Sequence, residues 1–97
     1  MVKHIVLWQL TEEAKKNTNS IILDLNKRFK ALVGVIDGLT AIEVGGNYNG
    51  GKFDLILYCE FTTKEAQGNY QTHPAHIAVK EVVQPLTCGR ECVDYER

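Results

Sequence analysis

The first ten residues constrain the fold most, because they predict a β-strand that is apolar on both faces. Successive side chains of a strand point to opposite faces of its sheet. One face of this strand carries Val2, His4, Val6, Trp8 and Leu10, and the other carries Ile5 and Leu7. Apolar faces have to be covered, so we expect packing on both sides of the sheet to which this strand belongs.

A helix is predicted to follow at once, because the apolar spacing changes from two residues to three or four. Thr11 is its expected N-cap, and Glu12 and Glu13 suit the positive end of a helix dipole. Gly34 is its expected end. The apolar stripe of this helix consists of Ala14, Ile21, Ile22, Leu25, Phe29, Leu32 and Val33.

The remaining pattern predicts three more strands and a helix in two pieces. A glycine- and asparagine-rich run between two apolar segments is typical of a β-hairpin. Thr62 and Glu65 have the spacing of a capping box, and Pro74 suits the first position of a helix. The predicted strands are about 39–45, 52–61 and 89–95, and the predicted helical pieces are about 62–70 and 74–83.

The order β, α, β, β, α, β predicts an α+β fold of the ferredoxin-like, split-βαβ type with an antiparallel four-stranded sheet. The helices of such a fold cover one face of the sheet. A second copy of the same sheet would cover the other face, so we expect a homodimer. Residues 1–97 have the length of one domain of this kind.

Charge and composition exclude several classes of partner. The chain has 11 Lys and Arg against 12 Asp and Glu, without a block of like charge, so we expect no nucleic-acid partner. No apolar run approaches the ~20 residues of a membrane span, and the N-terminus lacks a signal-peptide pattern. We therefore expect no membrane association and a cytoplasmic location. Cys59, Cys88 and Cys92 have no CxxC spacing and are expected to be reduced thiols.

Four segments carry a resemblance to a known family. They are residues 2–7, 53–58, the stretch Tyr-x-x-His-Pro-x-His at 70–76, and Asp94-Tyr95. The third is the most specific, since the others are ordinary strand patterns. In this order, they resemble the stress-responsive α/β-barrel (Dabb) family. The resemblance implies a dimeric α/β barrel, in which the sheets of two subunits face each other and the helices lie outside.

The resemblance extends to polyketide cyclases of the olivetolic acid cyclase type, which close a linear poly-β-keto thioester by aldol condensation without a cofactor. The residues at the matching positions are His4, Tyr70 and His76. An aldol reaction needs a base that removes a proton between two carbonyls and a donor that stabilises the enolate. A phenol supplies the donor, and a histidine in the first turn of a helix stays neutral and can act as the base.

Other residues have less specific expectations. Trp8 and Phe61 belong to the core or line a ligand pocket, and His73 either caps a helix or lies at the mouth of the cavity. The three candidate catalytic residues serve the structure instead if each is bonded to a buried partner. No metal site is expected, because no acidic residue stands at a short fixed spacing to complete a ligand set with the histidines.

Three functions follow from these alternatives. The chain binds a small apolar or amphipathic molecule between sheet and helices, or it is a cofactor-free aldol catalyst that uses His76, Tyr70 and His4, or it is an interaction module without a cavity. A cavity whose wall contains these three residues favours the first two functions over the third.

Overall fold

A computed structural model describes all residues, 1–97. Its strands are β1 (Val2–Leu10), β2 (Leu39–Gly46), β3 (Leu55–Phe61) and β4 (Thr87–Glu96). Its helices are α1 (Glu12–Lys15), α2 (Thr18–Lys30), α3 (Lys64–Thr72) and α4 (Pro74–Val83), and a 3₁₀ turn (Gln84–Leu86) leads into the last strand. No helix has the length and apolar character that crossing a membrane requires.

The four strands form one sheet in the order β2-β3-β1-β4, and every neighbouring pair is antiparallel. β1 therefore lies between β3 and β4, where its predicted apolar character is needed on both faces. Ile5 lies opposite Tyr58 on one side and opposite Val93 on the other. The predicted ferredoxin-like fold with an antiparallel four-stranded sheet is confirmed.

The core lies between the sheet and the helices. Residues of β1 alternate between buried and half-buried along the whole strand, as a period of two requires. The rings of Trp8 on β1 and Phe29 on α2 stack with their centroids 6.0 Å apart. Burying one such large apolar side chain contributes about 1.5–3 kcal/mol. The most deeply buried apolar side chains include Val6, Leu10, Leu25, Phe29, Ile36, Leu55, Leu57 and Phe61.

The long helix predicted to end at Gly34 is in fact two helices. Thr11 caps α1 as expected, and its hydroxyl accepts a hydrogen bond of 3.1 Å from the amide of Ala14. α1 ends at Lys15, because residues 15–20 are all polar and offer the core no apolar side chain. α2 ends at Lys30, so Val33 lies beyond it and is exposed rather than part of the apolar stripe.

The cap of α3 lies one residue later than predicted. The amide of Thr62 donates to the carbonyl of Gly38 at 2.9 Å, which keeps Thr62 attached to the end of β3. Thr63 is the N-cap, and its hydroxyl accepts from the amide of Ala66 at 3.0 Å. Glu65 is therefore the second residue of α3, and no capping box forms. β3 is also shorter than predicted and β4 longer.

The second face of the sheet carries no helix. Ile5 and Leu7 of β1 are half-buried there, beside Tyr58 of β3. Val93 and Tyr95 of β4 lie on the same face and are exposed by 57% and 44%. One face of the sheet is thus covered by the helices of the chain, and the other presents apolar and aromatic side chains outward.

Candidate functional site

A cavity of about 410 Å³ lies between the helix-covered face of the sheet and α4. Its apolar wall is formed by Val6, Trp8, Phe29, Leu57 and Val83. Three buried polar side chains, His4, Tyr70 and His76, also face it. Its mouth is lined by the exposed side chains of Gln71, Lys80, Gln84 and Arg90. The structure thus brings the three candidate catalytic residues into the wall of one cavity.

Tyr70 and His76 reach the cavity from the junction of α3 and α4. α3 ends at Thr72, and Pro74 begins α4 as predicted, so His76 is the third residue of that helix. The two rings stack with centroids 3.9 Å apart and an angle of 27° between their planes. Tyr70 also meets the ring of Phe61 edge-on at 5.0 Å. These contacts hold both rings by packing.

Two buried polar atoms of this pair have no hydrogen-bond partner in the protein. They are the hydroxyl of Tyr70 and Nδ1 of His76. The thiol of Cys59 is close enough to the hydroxyl to contribute to the raised pKa of Tyr70, but a thiol is only a weak hydrogen-bond partner. Buried polar groups are paired in the great majority of cases. The two atoms are therefore available to a molecule in the cavity.

The cavity keeps both groups neutral. Burial lowers the pKa of His76 below its usual value and outweighs the opposing effect of hydrogen bonding between the ring and the backbone of Gln71 and Tyr70, while the positive charge of Lys80 adds to the lowering. Burial raises the pKa of Tyr70, and the neighbouring Cys59 adds to the shift. At neutral pH, the imidazole of His76 can accept a proton while the phenol of Tyr70 can donate a hydrogen bond.

Asp94 fixes the third polar ring of the cavity. His4 on β1 lies directly opposite Asp94 on β4, and Nδ1 of the ring donates a hydrogen bond to Oδ1 of the carboxylate. The amide of Gln67 lies 3.3 Å from the same nitrogen. Although partial burial opposes it, hydrogen bonding by His4 and Gln67 lowers the pKa of Asp94. The carboxylate is therefore ionised at neutral pH, and it leaves Nε2 of the ring free of this contact.

Asp94 is the site residue that sequence reasoning missed. The sequence indicated Asp94 only as the end of the last strand and as part of one segment of the family resemblance, without a role in the site. Its partner is 90 residues away, and only the pairing of β1 with β4 brings the two together. The available signal was that His4 is a polar residue in a strand that is otherwise mostly apolar, so a polar partner on a neighbouring strand was to be expected.

The remaining candidate residues lie in different places. Trp8 belongs to the cavity wall, whereas Phe61 lies behind Tyr70 and does not reach the cavity. His73 lies outside the cavity wall, and its Nδ1 accepts a hydrogen bond of 3.0 Å from the amide of Ala75, which caps α4. All three cysteines are free, and burial raises the pKa of Cys59 to about 12. The structure does not assemble the histidines into a metal site, but it brings His4, Cys92 and Asp94 together.

Comparisons with known proteins agree on one family and one fold. The sequence model of the Stress Responsive A/B Barrel Domain family matches residues 2–97. None of the curated proteins matches the chain in sequence. Among solved structures, a dimeric protein of unknown function with a ferredoxin-like fold from Bacteroides fragilis is 34% identical, with 99% of this chain and 95% of that chain covered and a TM-score of 0.85.

Two more distant structures share the fold. A Dabb family protein with a ferredoxin-like fold from Mesorhizobium loti is 22% identical, with 99% of this chain and 95% of that chain covered and a TM-score of 0.72. Hydroxynitrile lyase from Passiflora edulis is 13% identical, with 97% of this chain and 90% of that chain covered and a TM-score of 0.76. At these identities, the likeness concerns the fold alone.

Proposed function

The chain belongs to the stress responsive A/B barrel domain family, and from this premise we propose that it is a homodimer that binds a small amphipathic molecule between its sheet and its helices. The observation that carries the proposal is the pair of buried polar atoms without partners, the Tyr70 hydroxyl and His76 Nδ1, in the wall of an apolar cavity. A ligand that bonds both atoms would recover the free energy that their burial costs, about 1–3 kcal/mol for each group.

The size and lining of the cavity describe the ligand. Its volume of about 410 Å³ falls within the ~300–1,000 Å³ of small-molecule sites. The buried side chains of Val6, Trp8, Phe29, Leu57 and Val83 give the cavity an apolar part, so the body of the ligand is apolar or aromatic. Lys80 and Arg90 line the mouth, and no acidic residue does. A molecule with an apolar body and an anionic or strongly polar end fits this distribution of charge.

The proposed homodimer would cover the helix-free face of the sheet and would add no residue to the cavity. The similar protein from Bacteroides fragilis is dimeric, and the helix-free face of this chain presents Ile5, Leu7 and Val93 outward. Pairing two such faces would form the barrel and bury these side chains. We place this dimer, with residues 1–97 as one domain in each subunit, in the cytoplasm, where its three free cysteines would stay reduced.

Titration with 8-anilinonaphthalene-1-sulfonate, an anionic aromatic fluorophore, tests the binding proposal. We expect saturable fluorescence from the folded protein, weakened about tenfold by Tyr70→Phe and by His76→Leu, because each variant removes one polar contact worth about 1.4 kcal/mol. Tyr48→Phe and His73→Asn are the matched controls. Tyr48 is fully exposed, and asparagine preserves the helix cap that His73 provides. Equal affinity of all four variants would refute a ligand site at Tyr70 and His76.

A second function, an aldol catalyst, is favoured by the neutral imidazole stacked on a phenol. In this alternative, His76 removes a proton from the carbon between two carbonyls and leaves an enolate, which Tyr70 stabilises by a hydrogen bond. The enolate carbon bonds to another carbonyl carbon of the same molecule, and the proton held by His76 passes to the resulting alkoxide. The Asp94 carboxylate would keep the ring of His4 oriented toward the substrate.

The first step of that reaction can be measured alone. We expect the protein to accelerate exchange of deuterium into the central carbon of a 1,3-diketone, followed by NMR in D₂O. His76→Asn should lower the rate about 10²–10⁴-fold, as loss of a general base does, and His73→Asn should leave it unchanged. A rate of deuterium exchange that is the same with and without the protein would reject the aldol function and leave only the binding function.

A further inference from the structure

Three side chains with different ligand atoms meet at the edge of the sheet, on the solvent side of His4. Nδ1 of His4, Sγ of Cys92 and a carboxylate oxygen of Asp94 all lie within 4.8 Å of one another. The pairing of β1 with β4 produces this cluster. Asp94 lies opposite His4, and Cys92 lies opposite Val6, so all three side chains project from the same face of the sheet.

The separations of these atoms match a tetrahedral ion. Nδ1 of His4 and Sγ of Cys92 are 3.6 Å apart, and Sγ and Oδ1 of Asp94 are 3.7 Å apart. Zinc bonds of about 2.0–2.3 Å at tetrahedral angles place neighbouring ligand atoms about 3.4–3.6 Å apart. Only Nδ1 and Oδ1, which share a hydrogen bond, would have to separate. Asp94 is 45% exposed on an edge strand, so its side chain has room to turn.

We infer that His4, Cys92 and Asp94 bind one zinc-like divalent transition-metal ion. A set of one nitrogen, one thiolate and one carboxylate suits zinc and is foreign to magnesium and calcium, which take oxygen ligands. Gln67, whose amide lies 3.3 Å from Nδ1 of His4, stands beside the fourth position, which it or a water molecule would occupy.

The site is accessible from solvent, and one of its ligands is held in place by burial. Cys92 and Asp94 are exposed, and a surface cleft lined by Gln67 and Asp94 opens beside them. His4 is buried, with 2% of its surface exposed, so one ligand is held rigidly while two approach from solvent. The ion would occupy Nδ1, and the proton of the neutral imidazole would then lie on Nε2. Metal binding would thereby turn the cavity-facing side of His4 into a hydrogen-bond donor.

Titration of the reduced, metal-free full chain with Co²⁺ tests this site, since tetrahedral cobalt gives intense visible bands and a thiolate ligand adds a charge-transfer band. We expect one ion per chain with both features. Cys92→Ser should remove the charge-transfer band, and Asp94→Asn should weaken the affinity for Co²⁺ at least about tenfold. Cys88→Ser is the matched control, because Cys88 is also an exposed thiol of β4 but donates to the carbonyl of Leu10 instead.

Circular dichroism and a thermal melt of each variant without metal separate loss of binding from loss of folding. Saturation with Zn²⁺ should raise the melting temperature of the parent chain and of Cys88→Ser, and should leave that of Cys92→Ser unchanged. A cobalt spectrum without a thiolate band, or one that Cys92→Ser preserves, would overturn the inference. The test reads the metal directly, so it stands apart from fluorophore binding at Tyr70 and His76.

Discussion

At the scale of single residues, Tyr70 and His76 each carry one buried polar atom for which the fold supplies no hydrogen-bond partner. Both rings are packed tightly, Tyr70 against Phe61 and His76 against Tyr70. Yet the hydroxyl and Nδ1 are buried without a hydrogen bond. A purely structural pair would be expected to bond each other or the backbone through these atoms. Their arrangement is therefore the one expected if a bound molecule supplies these hydrogen bonds, as we propose.

Tyr70→Phe should stabilise the protein while weakening ligand binding. Phenylalanine keeps the ring contacts and removes a buried hydroxyl that has no partner, so we expect the free energy of unfolding to rise by about 1 kcal/mol. Urea denaturation at fixed protein concentration measures the change, with Tyr48→Phe as the control that should have no effect. A loss of stability in Tyr70→Phe would show that the hydroxyl has a partner in the folded state.

His76 should make the stability of the fold depend on pH. Burial lowers its pKa in the folded chain below the usual 6.5, so the unfolded chain binds the proton more readily. Stability is therefore lost as the pH falls from about 6.5 through the folded pKa, and it does not change through His76 above that range. The free energy of unfolding of the parent chain should fall more than that of His76→Gln between about pH 7.5 and 5.5. Parallel curves for the two chains would contradict the lowered pKa.

At the scale of elements, hydrophobic and turn patterns predicted each strand, but the boundaries of the helices depend on contacts that these patterns do not contain. β1 was visible because apolar residues occupy nearly every position of residues 2–10, on both faces of the strand. The break after α1 was not visible in the sequence, because Ala14 and Ile21 continue the helical spacing across a polar segment. Sequence alone also could not choose between two adjacent threonines as the cap of α3. That choice depends on a bond from Thr62 to the distant Gly38.

The adjacent threonines provide a matched test of the cap. Thr63→Ala removes the hydroxyl that accepts from the amide of Ala66, and we expect it to lower the free energy of unfolding by about 0.5–2 kcal/mol. Thr62→Ala, one residue earlier, should change it by less than about 0.5 kcal/mol, because that hydroxyl caps no helix. Chemical denaturation of both variants decides the assignment. A larger loss of stability in Thr62→Ala than in Thr63→Ala would show that Thr62 is the N-cap.

Some residues of the candidate site could be predicted from a local motif, and others are brought together only by strand pairing. Tyr70, Pro74 and His76 are close in sequence, and their helical positions could be predicted from one motif. Asp94 and Cys92 join His4 only through the antiparallel register of β1 and β4. A shift of that register by one residue would turn both side chains to the other face of the sheet. No local pattern contains that information.

At the scale of the whole molecule, the sheet has one face that the helices cover and one face that they leave open. The helices lie on one side, where the cavity is. On the other side, Ile5, Leu7 and Tyr58 are only half-buried, and Val93 and Tyr95 are exposed. A chain of 97 residues buries a modest share of its surface when it folds alone, so covering this face would add substantially to its stability. The open face and the cavity lie on opposite sides of the sheet, so the proposed dimer and the proposed ligand site can be disturbed separately.

Val93→Glu should dissociate the proposed dimer without unfolding the chain. Val93 lies opposite Ile5 on the open face and is 57% exposed in one subunit, so a carboxylate there is tolerated in the monomer. In a two-fold dimer, the same substitution occurs twice in one interface. Burying each carboxylate costs about 2 kcal/mol or more, so we expect the dimer to weaken about 10³-fold.

Leu23→Glu is the matched control, because Leu23 is 73% exposed on α2, away from this face. Sedimentation velocity at micromolar concentration should show dimers for the parent chain and Leu23→Glu and monomers for Val93→Glu. Dimers in all three chains would place the interface elsewhere, and a monomeric parent chain would reject the dimer itself.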